Sequence, residues 1–147
     1  MTEKNNYYNN FVKKRNENEP FELEAIKIIC EKNKTELKVR CDTKEYDFIT
    51  KDNISYEIKA DHASKIYGNI FIEFQNINGK SGILTTKADK HIITDGTDNY
   101  YMIETLKLKK YIKETKPPIR EVKNDMLMTK GFIINFENFK KIAIKIK

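Results

Sequence analysis

The sequence contains few of the residues that cross-link small proteins or interrupt their regular structure. Among 147 residues there are two cysteines, five glycines and three prolines, and there is no tryptophan. Two cysteines are too few for a disulfide framework, and Cys30 and Cys41 do not have a CxxC spacing. We therefore expect both to be small core residues, with zinc binding as the less favoured alternative.

Long apolar segments are also missing. No apolar run approaches the roughly 20 residues that a membrane-spanning helix needs. The polar start MTEKNNYYNN lacks the apolar core of a secretory signal. The sequence therefore predicts a cytoplasmic protein without membrane contact, and its length fits one domain.

Arginine is scarce, although the chain is basic. Lys+Arg number 28 against 22 Asp+Glu, which gives a formal charge of +6, and only Arg15, Arg40 and Arg120 are arginine. Arginine can bind a base edge through two hydrogen bonds, whereas lysine acts as a point charge that suits phosphate. This composition favours an anionic partner, and contact with a phosphate backbone rather than base readout.

The N-terminal part of the chain predicts an arm followed by a helix. Residues 1–19 are rich in Asn, Lys and Glu and predict a flexible arm, which leaves residues 20–147 as the folded domain. Apolar residues then recur at helical spacing from Phe21 to Ile29. We expect a helix here, with Pro20 in its first turn.

Alternation of apolar and polar residues predicts four strands in the middle of the chain. They cover residues 37–41, 46–48, 54–61 and 69–74. A polar turn at residues 51–53 joins the second and third strands into a hairpin. On the third strand, Glu57 and Lys59 share one face, because apolar residues occupy the other.

The second half of the chain predicts further helices and strands. The pattern indicates a short helix over 85–94, a strand over 100–103, a basic helix over 104–115, and apolar strands over 132–136 and 142–146. The last two segments could complete the sheet or form a dimer contact. Together the elements predict an α/β fold: a single domain with a mixed central sheet flanked by helices.

One group of charged residues suggests chemistry. Asp47 on the second strand can join Glu57 and Lys59 of the third strand at one site. Two carboxylates suit Mg²⁺, which lowers the pKa of a bound water and neutralises charge on a phosphodiester, while a lysine can bind that water. The residues therefore predict hydrolysis of a nucleic-acid backbone.

A solvated sheet face is the alternative explanation of this group. The same acidic-x-Lys spacing recurs in this lysine-rich chain at Glu36, Asp42, Glu114 and Glu121. What distinguishes Glu57 and Lys59 is a strand with an apolar reverse face and a neighbouring strand that offers Asp47.

The stretches around this group resemble a known family. EYDFIT (45–50) and ISYEIKAD (54–61) resemble the paired-strand motif of the PD-(D/E)XK nuclease superfamily, with Tyr46 in place of the name-giving proline. GNIFIEF (68–74) and GKSGILTTKAD (79–89) resemble a pattern found in small phage-type members of that superfamily.

The resemblance extends over about residues 21–112. It implies a restriction-endonuclease-like core, in the order αβββαβ, and a metal-dependent DNA endonuclease. Asp47 and Glu57 would be metal ligands, and Lys59 would be the catalytic lysine.

The superfamily often adds a glutamate from the first helix, and Glu24 and Glu22 both qualify by position. We prefer Glu24 as a further catalytic residue and metal ligand, with a solvated helix carboxylate as the alternative. The resemblance also implies Mg²⁺, for which Mn²⁺ would substitute, a homodimer, and DNA as partner in the cytoplasm of the host cell if a phage encodes the chain. Because there is no separate sequence-reading domain, a Holliday junction resolvase, acting on the branched DNA of recombination, is the favoured subclass.

Several residues outside this group are candidates for DNA contact. Ser81, Thr86 and Lys87 could bind phosphate at the N-terminus of the helix predicted over 85–94, with helix capping as the alternative. The remaining predicted contacts are Asn69, Lys109, Lys110 and Lys113. The three lysines lie on the basic helix, where a merely solvated face is the alternative.

Four other side chains have two interpretations each. Glu73 could complete the carboxylate cluster or pair with a lysine, and Asp61 could reach the metal or a phosphate, or cap the strand end. His62 and His91 could assist proton transfer or touch DNA, although a surface histidine is the commoner outcome. For the whole chain, the alternative is a catalytically inactive nucleic-acid-binding or protein-interaction module that retains the fold.

Overall fold

We describe the chain from a computed structural model. The structure describes residues 3–41, 45–124 and 127–147, and side chains from residue 18 onward except that of residue 124. The helices are α1 (Glu3–Asn33), α2 (Ala63–Tyr67), α3 (Thr105–Thr115) and α4 (Phe136–Ile142), with a 3-10 turn at Gly82–Leu84. The strands are β1 (Leu37–Arg40), β2 (Phe48–Thr50), β3 (Ser55–Ala60), β4 (Asn69–Asn76), β5 (Gly79–Lys80), β6 (Lys90–Thr94), β7 (Tyr100–Glu104), β8 (Ile119–Asn124), β9 (Leu127–Asn135) and β10 (Ile144–Lys145).

Strands β2 and β3 form the predicted hairpin inside the larger of two sheets. This central sheet has six strands in the order β1-β2-β3-β6-β7-β10. Strands β3 and β6 are parallel, with Glu57 opposite His91 and Lys59 opposite Ile93, and the other neighbours are antiparallel. The prediction of a single α/β domain with a mixed central sheet flanked by helices is therefore confirmed.

The fourth predicted strand, β4, belongs to a second sheet. It lies in a four-stranded antiparallel sheet of order β5-β4-β9-β8. The chain between the parallel strands β3 and β6 therefore consists of α2, the hairpin β4–β5 and the 3-10 turn. The order α1, β1, β2, β3, α2, β6 gives helix, three strands, helix and strand, with this hairpin inserted before the last strand.

The central sheet separates two hydrophobic cores. The core between α1 and the central sheet contains Ala25, Ile26, Ile29, Phe48, Tyr56, Ile92 and Tyr100. The core between the two sheets and helices α3 and α4 contains Ile70, Ile72, Ile83, Ile93, Tyr101, Ile103, Leu108, Ile134, Phe136 and Phe139. Because successive residues of a strand point to opposite faces, Tyr56 faces α1, whereas Glu57 and Lys59 face the second sheet.

The prediction of a helix over residues 85–94 is wrong. The chain forms the 3-10 turn at Gly82–Leu84 and then strand β6 at Lys90–Thr94. His91, Ile92 and Ile93 are all buried, so both faces of β6 are covered. A continuous apolar run with β-branched residues is typical of such a central strand, and alternation is lost there.

The N-terminal helix is longer than its apolar pattern indicates. Helix α1 begins at Glu3, so Pro20 lies inside the helix and not in its first turn. Residues 3–19, most of the predicted arm, therefore belong to α1. The flexibility of this part stays a prediction, and residues 1 and 2 lie outside the described residues.

The C-terminal segments complete both sheets. The basic helix α3 and the strand β7 lie where the sequence predicts them. The apolar run 132–136 forms the end of β9 and the first residue of α4, and only Ile144–Lys145 of the run 142–146 is a strand, which pairs with β7. None of the described helices is long and apolar enough to cross a membrane.

Candidate active site

Asp47 is held beside the middle of β3 by the hairpin of β2 and β3. It directly precedes β2, and its backbone N–H donates to the carbonyl of Tyr56 at 2.8 Å. Its carboxylate Oδ2 accepts the backbone N–H of Ile58 at 2.7 Å. The Asp47 carboxylate therefore lies beside the segment that carries Glu57 and Lys59.

Glu57 is bound by a histidine on the neighbouring parallel strand. Its Oε2 lies 2.8 Å from Nε2 of His91, the residue opposite it in the register. The side chain of Glu57 is 27% exposed and that of His91 only 8%. The second ring nitrogen, Nδ1, lies 2.8 Å from the hydroxyl of Thr105, the first residue of α3.

Lys59 reaches across to the second sheet. Its Nζ donates to the backbone carbonyl of Phe71 on β4 and lies 5.0 Å from the centroid of the Phe71 ring. The backbone N–H of Phe71 donates to Oδ2 of Asp61 at 2.8 Å, and Asp61 also accepts from the Ser64 N–H at 3.1 Å. Asp61 is buried, and its carboxylate joins the first turn of α2 to β4, so the predicted cap of the strand end stays a prediction.

These side chains share one pocket of about 270 Å³ between the sheets, which is the candidate active site and which we call the active-site pocket. Its polar residues are Asp47, Glu57, Lys59, Glu73 and His91, and its apolar residues include Ile72, Ile83 and Ile93. Gly82 also lines it and has φ +53°. A Cβ at Gly82 would overlap the backbone of Glu73, so only glycine permits this approach.

Glu24, predicted as a catalytic residue and metal ligand, does not line this pocket. Its Oε1 accepts from Nζ of Lys147 at 2.7 Å, and this hydrogen bond lowers the pKa of the Glu24 carboxyl. The other candidate, Glu22, binds Arg40 at 2.7 Å. The physical reason is the alternation of β3: α1 packs on the Tyr56 face, and Glu57 and Lys59 point away from it.

Three of the predicted DNA contacts lie together in a second pocket of about 500 Å³, which we call the lysine pocket. It is lined by Thr86, Lys87 and Lys109, and also by Lys90, Asp89, Glu104 and Thr105. Thr86 is buried and its hydroxyl donates to the carbonyl of Glu45 at 3.1 Å, while Lys87 forms an ion pair with Glu45 at 3.2 Å. No helix begins at Thr85 or Thr86, so the predicted phosphate site at the N-terminus of a helix over 85–94 is wrong.

The other predicted DNA contacts lie outside both pockets. Asn69 donates to the carbonyl of Tyr67 at 3.3 Å. Ser81 is only 3% exposed, so its hydroxyl is buried rather than available to a phosphate. Lys110 and Lys113 are exposed on α3, and Lys110 lies 3.9 Å from Glu114.

The donors of the active-site pocket fit Mg²⁺ by their chemistry. Asp47, Glu57 and Glu73 supply hard carboxylate oxygens, and Mg²⁺ is commonly bound through one or two carboxylates with several waters. Within the described ranges, no group of three or more His, Cys, Asp or Glu side chains is already arranged around a cation position. Glu57 and Asp47 instead bind His91 and the Ile58 N–H, so a metal would share or replace these contacts.

Sequence reasoning gave too little weight to His91 and Glu73. The signal for His91 was its place inside the apolar run HIIT, which indicates a buried rather than a surface histidine. Glu73 was a candidate as a neighbour of the third strand, but it reaches the pocket from the second sheet. No alternation pattern reveals which sheet a strand joins.

Comparison with known proteins gives no relative for this site. Neither a scan against protein-family models nor searches of the curated proteins and the solved structures found a match to this chain.

Proposed function

We propose that the chain is a metal-dependent DNA endonuclease that hydrolyses phosphodiester bonds. The observation that carries the proposal is the active-site pocket, which contains Asp47, Glu57 and Lys59 on two paired strands. Two carboxylates can hold a divalent cation, and a lysine beside them can orient a water or a phosphate oxygen, which together suit metal-assisted hydrolysis of a phosphodiester.

Each residue has a role that follows from its position. Asp47 and Glu57 would hold the cation, and Glu73 on the facing strand is within the same pocket. Bound Mg²⁺ supplies a more acidic water and neutralises charge on the phosphate. Lys59 is partly buried, so its ammonium group can orient a water or a phosphate oxygen with little competition from solvent.

DNA is the proposed substrate, and we place its backbone along the lysine pocket. Lys87, Lys90 and Lys109 line that pocket, and the buried side chains of His91 and Thr105 lie between it and the active-site pocket. Scarce arginine favours recognition of backbone shape over sequence. We therefore propose a Holliday junction resolvase that works as a homodimer in the cytoplasm and acts in recombination.

The experiment is a cleavage assay on four-way, flapped, linear duplex and single-stranded DNA. Purified protein is incubated with Mg²⁺, with Mn²⁺ or with chelator. We expect metal-dependent cutting, fastest on the four-way junction, that disappears in Glu57→Ala and Lys59→Ala. Wild-type protein that cuts no DNA in either metal, or variants that cut as well as wild type, would contradict the proposal.

Salt dependence tests the DNA contact separately from cutting. In chelator, affinity for the junction should fall steeply as salt rises, because lysine–phosphate contacts release counterions. Replacing Lys109 by Ala should reduce this slope, whereas Lys38→Ala, an exposed lysine on β1, is the matched control. An affinity that does not change with salt would remove the lysine pocket from the proposal.

A second candidate function is a catalytically inactive module that binds nucleic acid. It is favoured by the contacts of the pocket, since Glu57 already binds His91 and Lys59 already binds the Phe71 carbonyl. Salt-sensitive DNA binding without cutting in either metal would support this function in place of the first.

A further inference from the structure

A row of three hydrogen-bonded side chains joins the active-site pocket to the lysine pocket. Oε2 of Glu57 lies 2.8 Å from Nε2 of His91, and Nδ1 of His91 lies 2.8 Å from Oγ1 of Thr105. Each pocket contributes one end, because Glu57 lines the first and Thr105 lines the second. Both ring nitrogens of His91 therefore have a partner.

The two contacts fix the imidazole in one orientation. An ionised carboxylate only accepts hydrogen bonds, so Nε2 of His91 must carry the hydrogen that Glu57 receives. The hydroxyl of Thr105 can donate to Nδ1 or accept from it. The backbone of Thr105 is held in place by its own N–H, which donates to the Asp89 carbonyl at 3.0 Å. His91 is 6% exposed, so it is too enclosed to bind a DNA strand itself.

We propose that His91 is a positioning residue for Glu57, and that Thr105 holds its ring in place. The inference rests on the proposed function. By taking Oε2, His91 prevents the carboxylate of Glu57 from rotating freely and leaves Oε1 as the oxygen that binds the cation. Hydrogen bonds of this kind around a metal ligand set its orientation, and their loss costs about 10- to 100-fold in metal affinity or activity.

Two substitutions of His91 distinguish the contact that Nε2 makes with Glu57 from the contact that Nδ1 makes with Thr105. Glutamine is long enough to place an amide N–H where Nε2 lies, so His91→Gln keeps the contact with Glu57. Asparagine is shorter and can replace only Nδ1, so His91→Asn keeps a partner for Thr105 and loses Glu57. Thr105→Val leaves the imidazole intact but removes its support, and His62→Asn, at the other histidine of the chain, is the matched control because His62 is exposed.

Metal affinity is measured in two ways. Binding of Mn²⁺ to the protein without DNA is followed by electron paramagnetic resonance, with Glu57→Gln identifying the site, and the Mg²⁺ concentration for half-maximal cleavage is measured with the junction. Thermal unfolding of every variant shows whether it is folded. We expect His91→Asn to weaken Mn²⁺ binding and to raise the half-maximal Mg²⁺ concentration, each by about tenfold. Thr105→Val should have a smaller effect, His91→Gln should recover most of the affinity, and His62→Asn should match wild type.

The outcomes distinguish this inference from the proposed function. If wild type cuts DNA and the Asn and Gln variants have the same metal affinity, His91 does not position Glu57, while the nuclease proposal stands. If wild type binds Mn²⁺ through Glu57 but cuts nothing, the nuclease proposal fails and the order of the variants in Mn²⁺ affinity still decides the role of His91. If His91→Asn does not fold, Thr105→Val decides, and unchanged affinity there overturns the inference. Wild type that neither binds Mn²⁺ nor cuts overturns both.

Discussion

The chain contains the same Glu-x-Lys pattern on two strands, in very different surroundings. On β3, Glu57 is 27% exposed and binds His91, and Lys59 reaches the second sheet. On β8, Glu121 and Lys123 are 42% and 77% exposed, and they form an ion pair with each other at 3.7 Å. Strand β3 lies inside the central sheet, whereas β8 is at the edge of the second.

The difference shows that the same pattern lies in a pocket on one strand and on an exposed edge on the other. An exposed pair such as Glu121 and Lys123 is screened by water, and its ion pair contributes little to stability. The pair on β3 is covered by β4 and the 3-10 turn, which leave a pocket instead of a solvated face. In a lower dielectric, charges act more strongly on a ligand.

The largest effect we expect is on cleavage. Replacing Glu57 and Lys59 together by alanine should lower the cleavage rate at least about 100-fold, near 3 kcal/mol in the barrier, because the pocket loses a carboxylate and its ammonium group. Rates are measured under single-turnover conditions on the junction.

The control for that prediction is the same double substitution at Glu121 and Lys123. This double variant should cut at a rate within about twofold of wild type, since an exposed ion pair at a sheet edge contributes less than about 1 kcal/mol to the free energy of folding. Equal losses in the two double variants would remove the distinction between the strands.

The next effect concerns the cover of the pocket. Gly82→Ala should destabilise the fold by about 3 kcal/mol, because its Cβ would overlap the backbone of Glu73 and φ is +53°. Gly68→Ala is the control: φ is +73° but nothing lies within 4 Å, so the loss should be about 1 kcal/mol. Urea unfolding measures both, and similar losses would mean that the approach to Glu73 is not needed.

A smaller effect is expected at the end of β3. Asp61→Ala should cost about 2 kcal/mol in urea unfolding, because the buried N–H group of Ser64 and the partly buried one of Phe71 lose their acceptor. Asp98→Ala, at an aspartate that is 95% exposed, should cost less than about 0.5 kcal/mol. If Asp61→Ala lowered the free energy of unfolding no more than Asp98→Ala, the hydrogen bonds of Asp61 to Ser64 and Phe71 would not stabilise this end of β3, and β3 would be no better anchored than β8.

The smallest effect is at Glu24. Its pKa is lowered from 4.5 by the hydrogen bond from Lys147, so its contribution to stability is present above the unfolded value and is lost as pH falls through the folded one. Glu24→Gln should cost less than about 1 kcal/mol at pH 7, and the difference from wild type should vanish below the folded pKa. Unfolding from pH 7 to pH 3 measures this, with Glu31→Gln on the same helix as control. The rate of cleavage should also fall less in Glu24→Gln than in Glu73→Gln, because only Glu73 lines the pocket. The opposite order would indicate that Glu24 takes part in catalysis.

Local patterns were enough to predict the hairpin and the face of β3. Alternation around Tyr46 to Asp61 assigned Glu57 and Lys59 to one face, and the short turn at residues 51–53 fixed the pairing of β2 with β3. Strand β6 was missed because it is buried on both sides, so HIIT has no polar alternation and resembles a helix segment as much as a strand.

The candidate site was predictable only where its residues are close in sequence. Asp47, Glu57 and Lys59 come from one hairpin, and the structure brings them together. Glu73 and His91 belong to strands whose positions depend on non-local pairing, β4 with β9 and β3 with β6, which spacing along the chain does not encode. Glu24 was misplaced because a helical pattern indicates the buried face of a helix but not which side of the sheet receives it.

The pairing of β4 with β9 also sets an order of assembly. Strands β2 and β3 meet across a short turn, but β4 must wait for β9 (Leu127–Asn135), which is separated from it in the sequence by β5, β6, β7, α3 and β8. Closing so long a loop costs more conformational entropy than closing a hairpin, and non-local pairing is slow. We therefore expect the strand that carries Glu57 and Lys59 to form early, while the wall with Glu73 closes last. On the ribosome, the pocket would remain incomplete until the residues of β9 have been translated.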